Sequence, residues 1–178
     1  MAIPGAGRLS AVKPEGFIAI SLVTVLIILA LAIALERVGG MTPCPLCLEQ
    51  RAALWWAAGF CAAGLIVQRL PGSAALWVFR GTLIAATAAF AWSAGLAAFH
   101  IAVENGWATT ACSGGAQSIG DLLSTDQSRP IARCDETAPF LGISLAVHNF
   151  VFSSALALFV SAPLWRERLL RFGRSANG

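Results

Sequence analysis

The chain has 178 residues, of which 57% are hydrophobic and only 12% are charged, about half of the roughly 25% charged residues in an ordinary soluble domain. A soluble fold of this length has no core large enough for so much apolar surface, whereas a lipid bilayer accommodates it. The net charge of +3 is too small to indicate a nucleic-acid-binding protein, so we expect no nucleic acid partner. The length indicates a single domain, residues 1–178.

Four apolar segments approach the roughly 20 residues that a helix needs to cross a membrane. They predict membrane spans at approximately residues 17–35, 52–70, 81–99 and 142–165. The first segment is longer than the roughly 7–15 apolar residues of a signal peptide, so we interpret it as a span rather than a cleaved leader. The predicted fold class is an all-α integral membrane protein, a four-transmembrane-helix bundle in which two cysteine-bearing loops leave the same side.

The distribution of basic residues predicts how the bundle is oriented. Four spans place both termini and the second loop on one side, and that side holds eight of the 12 Lys and Arg residues. By the positive-inside rule this side faces the cytoplasm, so the first and third loops face outward. Cys44, Cys47, Cys112 and Cys134 then lie on the oxidising side of the membrane, where disulfides form and persist.

The first cysteine pair, Cys44 and Cys47, comes just before the second predicted span. Pro45 suits the first position of a helix, so Cys44 is predicted to be the N-cap and Cys47 to lie in the first turn. Unpaired backbone N–H groups and the helix dipole favour the thiolate form of Cys47 there. Arg51 lies one turn deeper on the same face. It either stabilises an anion beside Cys47 or anchors the helix among the lipid headgroups.

The second pair, Cys112 and Cys134, lies in the long polar third loop. A disulfide between them would either staple this loop or be offered to another protein, since exchange requires in-line access by an attacking thiolate. Residues 118–123 between them are predicted to form a short amphipathic turn on the membrane surface.

Three further residues with polar or reactive side chains lie inside predicted spans. Cys61 is mid-span and is predicted to be a small packing thiol. His148 and Asn149 are polar residues within the fourth span, so they are predicted to face the bundle interior and to hydrogen-bond between helices.

Three local motifs, together with the four-span topology, resemble the disulfide bond formation protein B (DsbB) family. They are Cys-Pro-Leu-Cys-Leu-Glu-Gln-Arg at 44–51, His-Ile-Ala-Val-Glu-Asn-Gly-Trp at 100–107, and Cys-Asp-Glu at 134–136 followed by Phe-Leu-Gly-Ile-Ser-Leu at 140–145. The resemblance extends from the first span to the fourth. A CxxC that opens a span and is followed by Arg, with a second pair on the same side, is much more specific than a CxxC alone.

The resemblance implies a multi-pass thiol oxidase of the bacterial inner membrane with periplasmic catalytic loops. The Cys112–Cys134 disulfide would oxidise a periplasmic thioredoxin-fold partner similar to DsbA, with Cys112 forming the mixed disulfide. Cys134 would then exchange with Cys44, and Cys47 would be released beside a membrane quinone, either ubiquinone or menaquinone. The DsbA–DsbB–quinone route is known to keep the periplasm oxidising.

The same resemblance implies a quinone site formed by Arg51, Cys47, His100 and Leu145. His100 matches the family's histidine only after a shift of one residue, and its other interpretation is an interfacial histidine bonded to backbone. Leu145 is either a quinone contact or a packing residue of the bundle.

Other interpretations remain open at this point. The chain could be a non-catalytic membrane protein with two structural disulfides, or its four outer cysteines could together form a metal site, although four-cysteine sites usually use two close pairs. A quinone reductase similar to the vitamin K epoxide reductase family would carry its CxxC late in the chain. A dedicated DsbB paralogue that serves one substrate is also compatible with the sequence.

Overall fold

The structure is a computed structural model that describes residues 14–71, 73–113, 133–136 and 139–175. Within these ranges the chain forms helices α1 (Pro14–Arg37), α2 (Pro45–Val67), α3 (Ser73–Glu104) and α4 (Leu145–Ser175), with strands β1 (Pro139–Phe140) and β2 (Ile143–Ser144) before α4. All four helices are long and apolar enough to cross a membrane, which confirms the predicted fold class. The turn predicted at residues 118–123 lies outside the described residues.

The helix bounds differ from the predicted spans at the ends that carry the cysteines. Helix α2 begins at Pro45 rather than near residue 52, because Cys44 caps it and Pro45 occupies its first turn. Helix α3 continues past residue 99 to Glu104 and therefore includes His100. Helix α4 begins at Leu145 because the β-hairpin precedes it. Apolar length predicts the membrane-embedded part of each helix, whereas these ends depend on capping and on contacts outside the bilayer core.

A tight hairpin brings the chain into α4. Strands β1 and β2 are antiparallel, with Phe140 opposite Ile143. The two residues between them, Leu141 and Gly142, have φ angles of 54° and 80°. Two successive positive φ angles are typical of hairpin turns whose twist matches that of the flanking strands. The turn holds Phe140 and Leu141 over the end of the bundle.

The helices enclose an apolar core built largely from small and aliphatic side chains. Helix α2 packs against α1 and α3, and α4 packs against α3 and α1. Cys61 is fully buried in this core, which confirms its prediction as a packing thiol. Gly64 allows α2 to lie close to α3 and α1, because a Cβ atom there would lie 2.9 Å from Thr82 Oγ1 and 3.0 Å from Ile18 Cδ1. Small residues at such contacts are typical of helices packed within a membrane.

The outward faces of the bundle are apolar as well. Large side chains such as Ile27, Trp56, Trp92 and Leu158 are more than half exposed. In water this surface would be costly, whereas lipid chains solvate it without penalty. The protein is therefore a multi-pass membrane protein in which both the interior and the perimeter of the bundle are apolar.

Candidate active site: two cysteine pairs and an adjoining cavity

The four loop cysteines lie at one end of the bundle. The ends of α1 and α3 meet the starts of α2 and α4 there, as shown by the contacts of Arg51 with Glu36 and of Ser144 with Glu104. Cys44 and Cys134 are buried in one cluster with Leu46 and Val103. Cys47 and Cys112 are partly buried and pack against the same cluster. The fold thus brings together two cysteine pairs that are far apart in the sequence.

The inner pair, Cys44 and Cys47, sits at the beginning of α2. Cys44 is the N-cap, as predicted, and its Sγ accepts a hydrogen bond from the backbone N–H of Cys47 at 3.2 Å. Both residues are free cysteines, and their sulfur atoms are 2.7 Å apart. Closing them into a disulfide of about 2.05 Å requires only a small movement. The pair is therefore positioned for reversible oxidation.

The negative charge of this pair is stabilised at Cys44. Hydrogen bonding from Cys47 lowers the pKa of the Cys44 thiol to about 4; burial opposes this shift, while the nearby His100 adds to it. From the sequence, the helix start was predicted to favour a thiolate at Cys47. In the structure the thiolate is favoured at Cys44 instead, because its sulfur is hydrogen-bonded first of all to the Cys47 side chain and, with a smaller effect, to the Cys47 backbone N–H.

The outer pair, Cys112 and Cys134, forms a disulfide with a Cα–Cα distance of 5.3 Å. The Cys134 N–H also donates to the Cys112 carbonyl at 3.0 Å. The two sulfurs differ in their surroundings, because Cys134 is fully buried beside Cys44 whereas Cys112 is only partly buried. A nucleophile from outside therefore has easier access to Cys112, and Cys134 faces the inner pair.

A cavity of 420 Å³ opens beside Cys47, between α1, α2 and α4 and beneath the hairpin. Most of its wall is aliphatic or aromatic, including Leu145 at the start of α4. The polar members of the wall include Glu36, Gln50, Arg51, His148 and Asn149. The volume and the mixture of apolar wall with few polar groups are typical of a site for a small organic ligand.

Arg51 lies in this cavity wall, where its Nη1 donates to Glu36 Oε2 at 2.6 Å. Arg51 was predicted to share a helix face with Cys47, and both residues line the cavity. Glu36 was not predicted as part of the site, although an acidic residue at the end of an otherwise apolar span is a signal that such a residue has a partner.

His100, which the family resemblance assigns to the quinone site, lies beside the inner cysteine pair. It is buried on α3, and the described residues that line the cavity do not include it. Its Nδ1 is 3.0 Å from Gln50 Nε2, and its Nε2 is 3.7 Å from Cys44 Sγ. Nε2 also lies 3.8 Å from Glu104 Oε1. His100 therefore contacts the inner cysteine pair directly, and it is separated from the cavity by Gln50.

The two polar residues predicted to bond between helices behave differently. Asn149 donates from Nδ2 to Gln50 Oε1 at 2.7 Å and to Ser93 Oγ at 3.2 Å, which confirms its prediction. For His148 the interhelical prediction is wrong, because its Nδ1 bonds to the Ser144 carbonyl, 3.0 Å away and just before its own helix. The start of α4 leaves that carbonyl within reach of a side chain one turn further along the chain.

The fold and the site define a membrane-embedded thiol–disulfide oxidoreductase. The family model for disulfide bond formation protein DsbB matches residues 14–162. A relative from Herminiimonas arsenicoxydans, named Disulfide bond formation protein B, is 30% identical over 155 residues, which cover 80% of this chain and 90% of the relative. A relative from Psychrobacter sp. (strain PRwf-1), with the same name, is 29% identical over 142 residues, which cover 75% of this chain and 81% of the relative. No solved structure gives a significant match.

The family match extends over most of the chain and includes all four cysteines of the two pairs. The chain belongs to the DsbB family.

Proposed function

We propose that the protein oxidises a periplasmic thioredoxin-fold dithiol partner similar to DsbA and passes the two electrons to ubiquinone or menaquinone in the inner membrane. The observation that carries this proposal is the position of the inner pair between two neighbours. Cys44 packs against the buried Cys134 of the outer disulfide, and Cys47 forms part of the cavity wall. Electrons that enter at the outer pair therefore have a continuous path to the cavity.

The cavity residues fit a quinone. A quinone headgroup needs flat apolar surfaces and hydrogen-bond donors for its two carbonyl oxygens, and its isoprenoid tail needs access to lipid. Leu145 and the other apolar residues would contact the ring, and the Arg51 guanidinium would donate to a carbonyl oxygen. When bound, the quinone supplies an acceptor for two electrons and two protons.

The first half of the reaction uses the outer pair. A thiolate of the partner attacks Cys112 Sγ, the accessible sulfur, so that the Cys112–Cys134 bond breaks and its electron pair goes to Cys134 Sγ. Cys134 then attacks Cys44 in the oxidised inner pair, which forms a Cys134–Cys44 bond and releases Cys47 as a thiolate beside the cavity. Packing of Cys134 against Cys44 favours this step, since both sulfurs are already in one cluster.

The second half restores the outer disulfide. The partner's second thiolate attacks the partner's first sulfur in the mixed disulfide. The partner then leaves as an oxidised protein, and Cys112 is freed as a thiolate. Cys112 attacks Cys134, reforms the outer disulfide and displaces Cys44 as a thiolate. The low pKa of Cys44 makes it a good leaving group. The inner pair then holds the two electrons that came from the partner.

The alternative of a metal site formed by the four outer cysteines would require four thiolates, whereas Cys112 and Cys134 are joined in a disulfide. The alternative of two structural disulfides gives no reason for a buried imidazole beside Cys44 or for a cavity beside Cys47.

The function is tested by following oxidation of a reduced DsbA-like protein by the purified enzyme, with and without a soluble ubiquinone analogue. We expect repeated turnover only with the quinone, at most two partner molecules oxidised per enzyme without it (one for each disulfide), and no repeated turnover in Cys47→Ser. Sustained turnover without a quinone or another added acceptor would contradict the proposal.

The proposed orientation has a separate test. After reduction, a membrane-impermeant thiol reagent added to the periplasmic side should label Cys112, whereas Cys61 in the helix core should resist it. Labelling of Cys112 only from the cytoplasmic side would contradict the charge-based orientation.

A further inference from the structure

A chain of hydrogen bonds runs from α4 through α2 to α3 and ends at Cys44. The Ser153 hydroxyl donates to Asn149 Oδ1 at 2.9 Å, and Asn149 Nδ2 donates to Gln50 Oε1 at 2.7 Å. Gln50 Nε2 lies 3.0 Å from His100 Nδ1, and His100 Nε2 lies 3.7 Å from Cys44 Sγ. Gln50, His100 and Ser153 are all buried, so water has little access to compete for these contacts.

The direction of this chain fixes where the imidazole carries its proton. A carboxamide nitrogen only donates hydrogen bonds, so Gln50 Nε2 requires His100 Nδ1 to act as the acceptor. A neutral imidazole has one N–H, which must then be on Nε2, the nitrogen that faces Cys44. Asn149 orients Gln50 in turn, because its own oxygen is engaged by Ser153 and its nitrogen is directed at Gln50 Oε1.

We propose that Gln50 and Asn149 are positioning residues that hold the Nε2–H of His100 on the sulfur of Cys44. This inference rests on the proposed function, because it assigns to the two carboxamides the task of keeping Cys44 as a thiolate between the two half-reactions. It also explains why two uncharged, long-range partners lie in a membrane helix bundle. Apolar residues at both positions would pack with less desolvation cost but would leave the imidazole free to rotate and to change tautomer.

Other titratable groups also lie close to the imidazole. Cys44 and Cys47 face it from α2, and the Glu104 carboxylate, which accepts from the Ser144 hydroxyl at 2.7 Å, approaches Nε2 from the histidine's own helix. From α4 the chain contributes Asn149, which is uncharged. From the outer pair, the backbone of Cys134 interacts with the ring. Glu104 and the Gln50 amide therefore both favour a proton on Nε2.

The tautomer itself can be measured without any substitution. The protein has two histidines, and nitrogen NMR of histidine-labelled protein distinguishes a protonated from an unprotonated ring nitrogen. A His148→Gln variant assigns the signals of His100. When the imidazole is neutral and the inner pair is reduced, we expect His100 to carry its proton on Nε2. A proton on Nδ1 would overturn the inference.

The positioning role is tested by the titration of Cys44, followed by ultraviolet absorbance of its thiolate with the outer disulfide intact. Gln50→Leu and Asn149→Leu should each shift this titration upward by about one pH unit, a tenfold loss of thiolate on the acid side. The double variant should shift no further than the larger single shift, because both substitutions interrupt one chain.

The matched control is Ser161→Ala. Ser161 is also a buried hydroxyl on α4, but it donates to the Leu158 carbonyl and accepts from Trp165, outside the chain. Its titration should equal that of the wild type. Unchanged titrations in both Leu variants, or additive shifts in the double variant, would overturn the inference. Neither the titration nor the NMR measurement needs a partner or a quinone, so failure here leaves the proposed function standing, and failure of quinone-dependent turnover leaves these results interpretable.

Discussion

Arg51 connects the inner cysteine pair to the proposed quinone site, and its removal should separate the two half-reactions. Its guanidinium lines the cavity with Cys47 and forms an ion pair with the Glu36 carboxylate, with 2.6 Å between Nη1 and Oε2. The Arg51 side chain is 19% exposed. A hydrogen bond from a charged group contributes roughly 1.5–3 kcal/mol. Because Glu36 already engages Arg51 and solvent partly screens it, we expect the lower end of this range for Arg51→Ala. That corresponds to an increase of about tenfold in the KM for quinone.

The assay measures the two half-reactions separately in the purified variants. Disulfide exchange between the partner and the outer pair should proceed in Arg51→Ala at a rate close to that of the wild type, because Cys112 lies outside the cavity. Arg51→Lys should give a smaller increase in KM, since it keeps the charge but loses the planar fork of donors.

Glu36→Gln is the matched control for the electrostatics of the cavity. It removes the carboxylate that shares Arg51, so the KM for quinone should not rise. If Arg51→Ala slowed only the exchange with the partner and left quinone reduction unchanged, the placement of the quinone beside Cys47 would be wrong.

The cysteines and the helix packing carry the remaining predictions. Cys134→Ser removes the outer disulfide that the partner's thiolate attacks, so this variant should not oxidise the reduced partner, and normal turnover would show that the outer pair is not catalytic. The depressed pKa of Cys44, about 4, means that its thiolate exists above that pH and is lost as the pH falls through it. Thiolate absorbance that is absent in Cys44→Ser should therefore persist at about pH 6, well below the pKa of an ordinary thiol, and its disappearance there would refute the assignment. Gly64→Ile should destabilise the bundle by roughly 1–3 kcal/mol through overpacking, because the added Cβ meets neighbouring atoms at 2.9 and 3.0 Å. Gly59→Ala on the same helix, where no described atom lies within 4 Å of the added Cβ, should have little effect on thermal unfolding in detergent.

Local rules in the sequence were sufficient for the helices and for one detail of the site. Runs of apolar residues determine where a membrane helix lies, because every backbone polar group in lipid must be bonded within the helix itself. The proline after Cys44 determines the start of α2, since proline fits the first turn and Cys44 is left as the cap. Cys61 was predictable for a similar reason, because a small thiol in the middle of an apolar span has no polar partner within reach along the chain.

The tertiary structure alone decided which polar groups meet. Gln50 and Asn149 are 99 residues apart, and Glu36 and Arg51 lie on different helices. An apolar helix in lipid has nearly the same hydrophobicity on every face, so the sequence contains little information on how each helix is rotated about its axis. Rotation is set by close packing at positions such as Gly64 and by the few buried polar contacts. For that reason the side chains near Cys47 could be expected, whereas the contact of His100 with Cys44 followed only from how the helices pack.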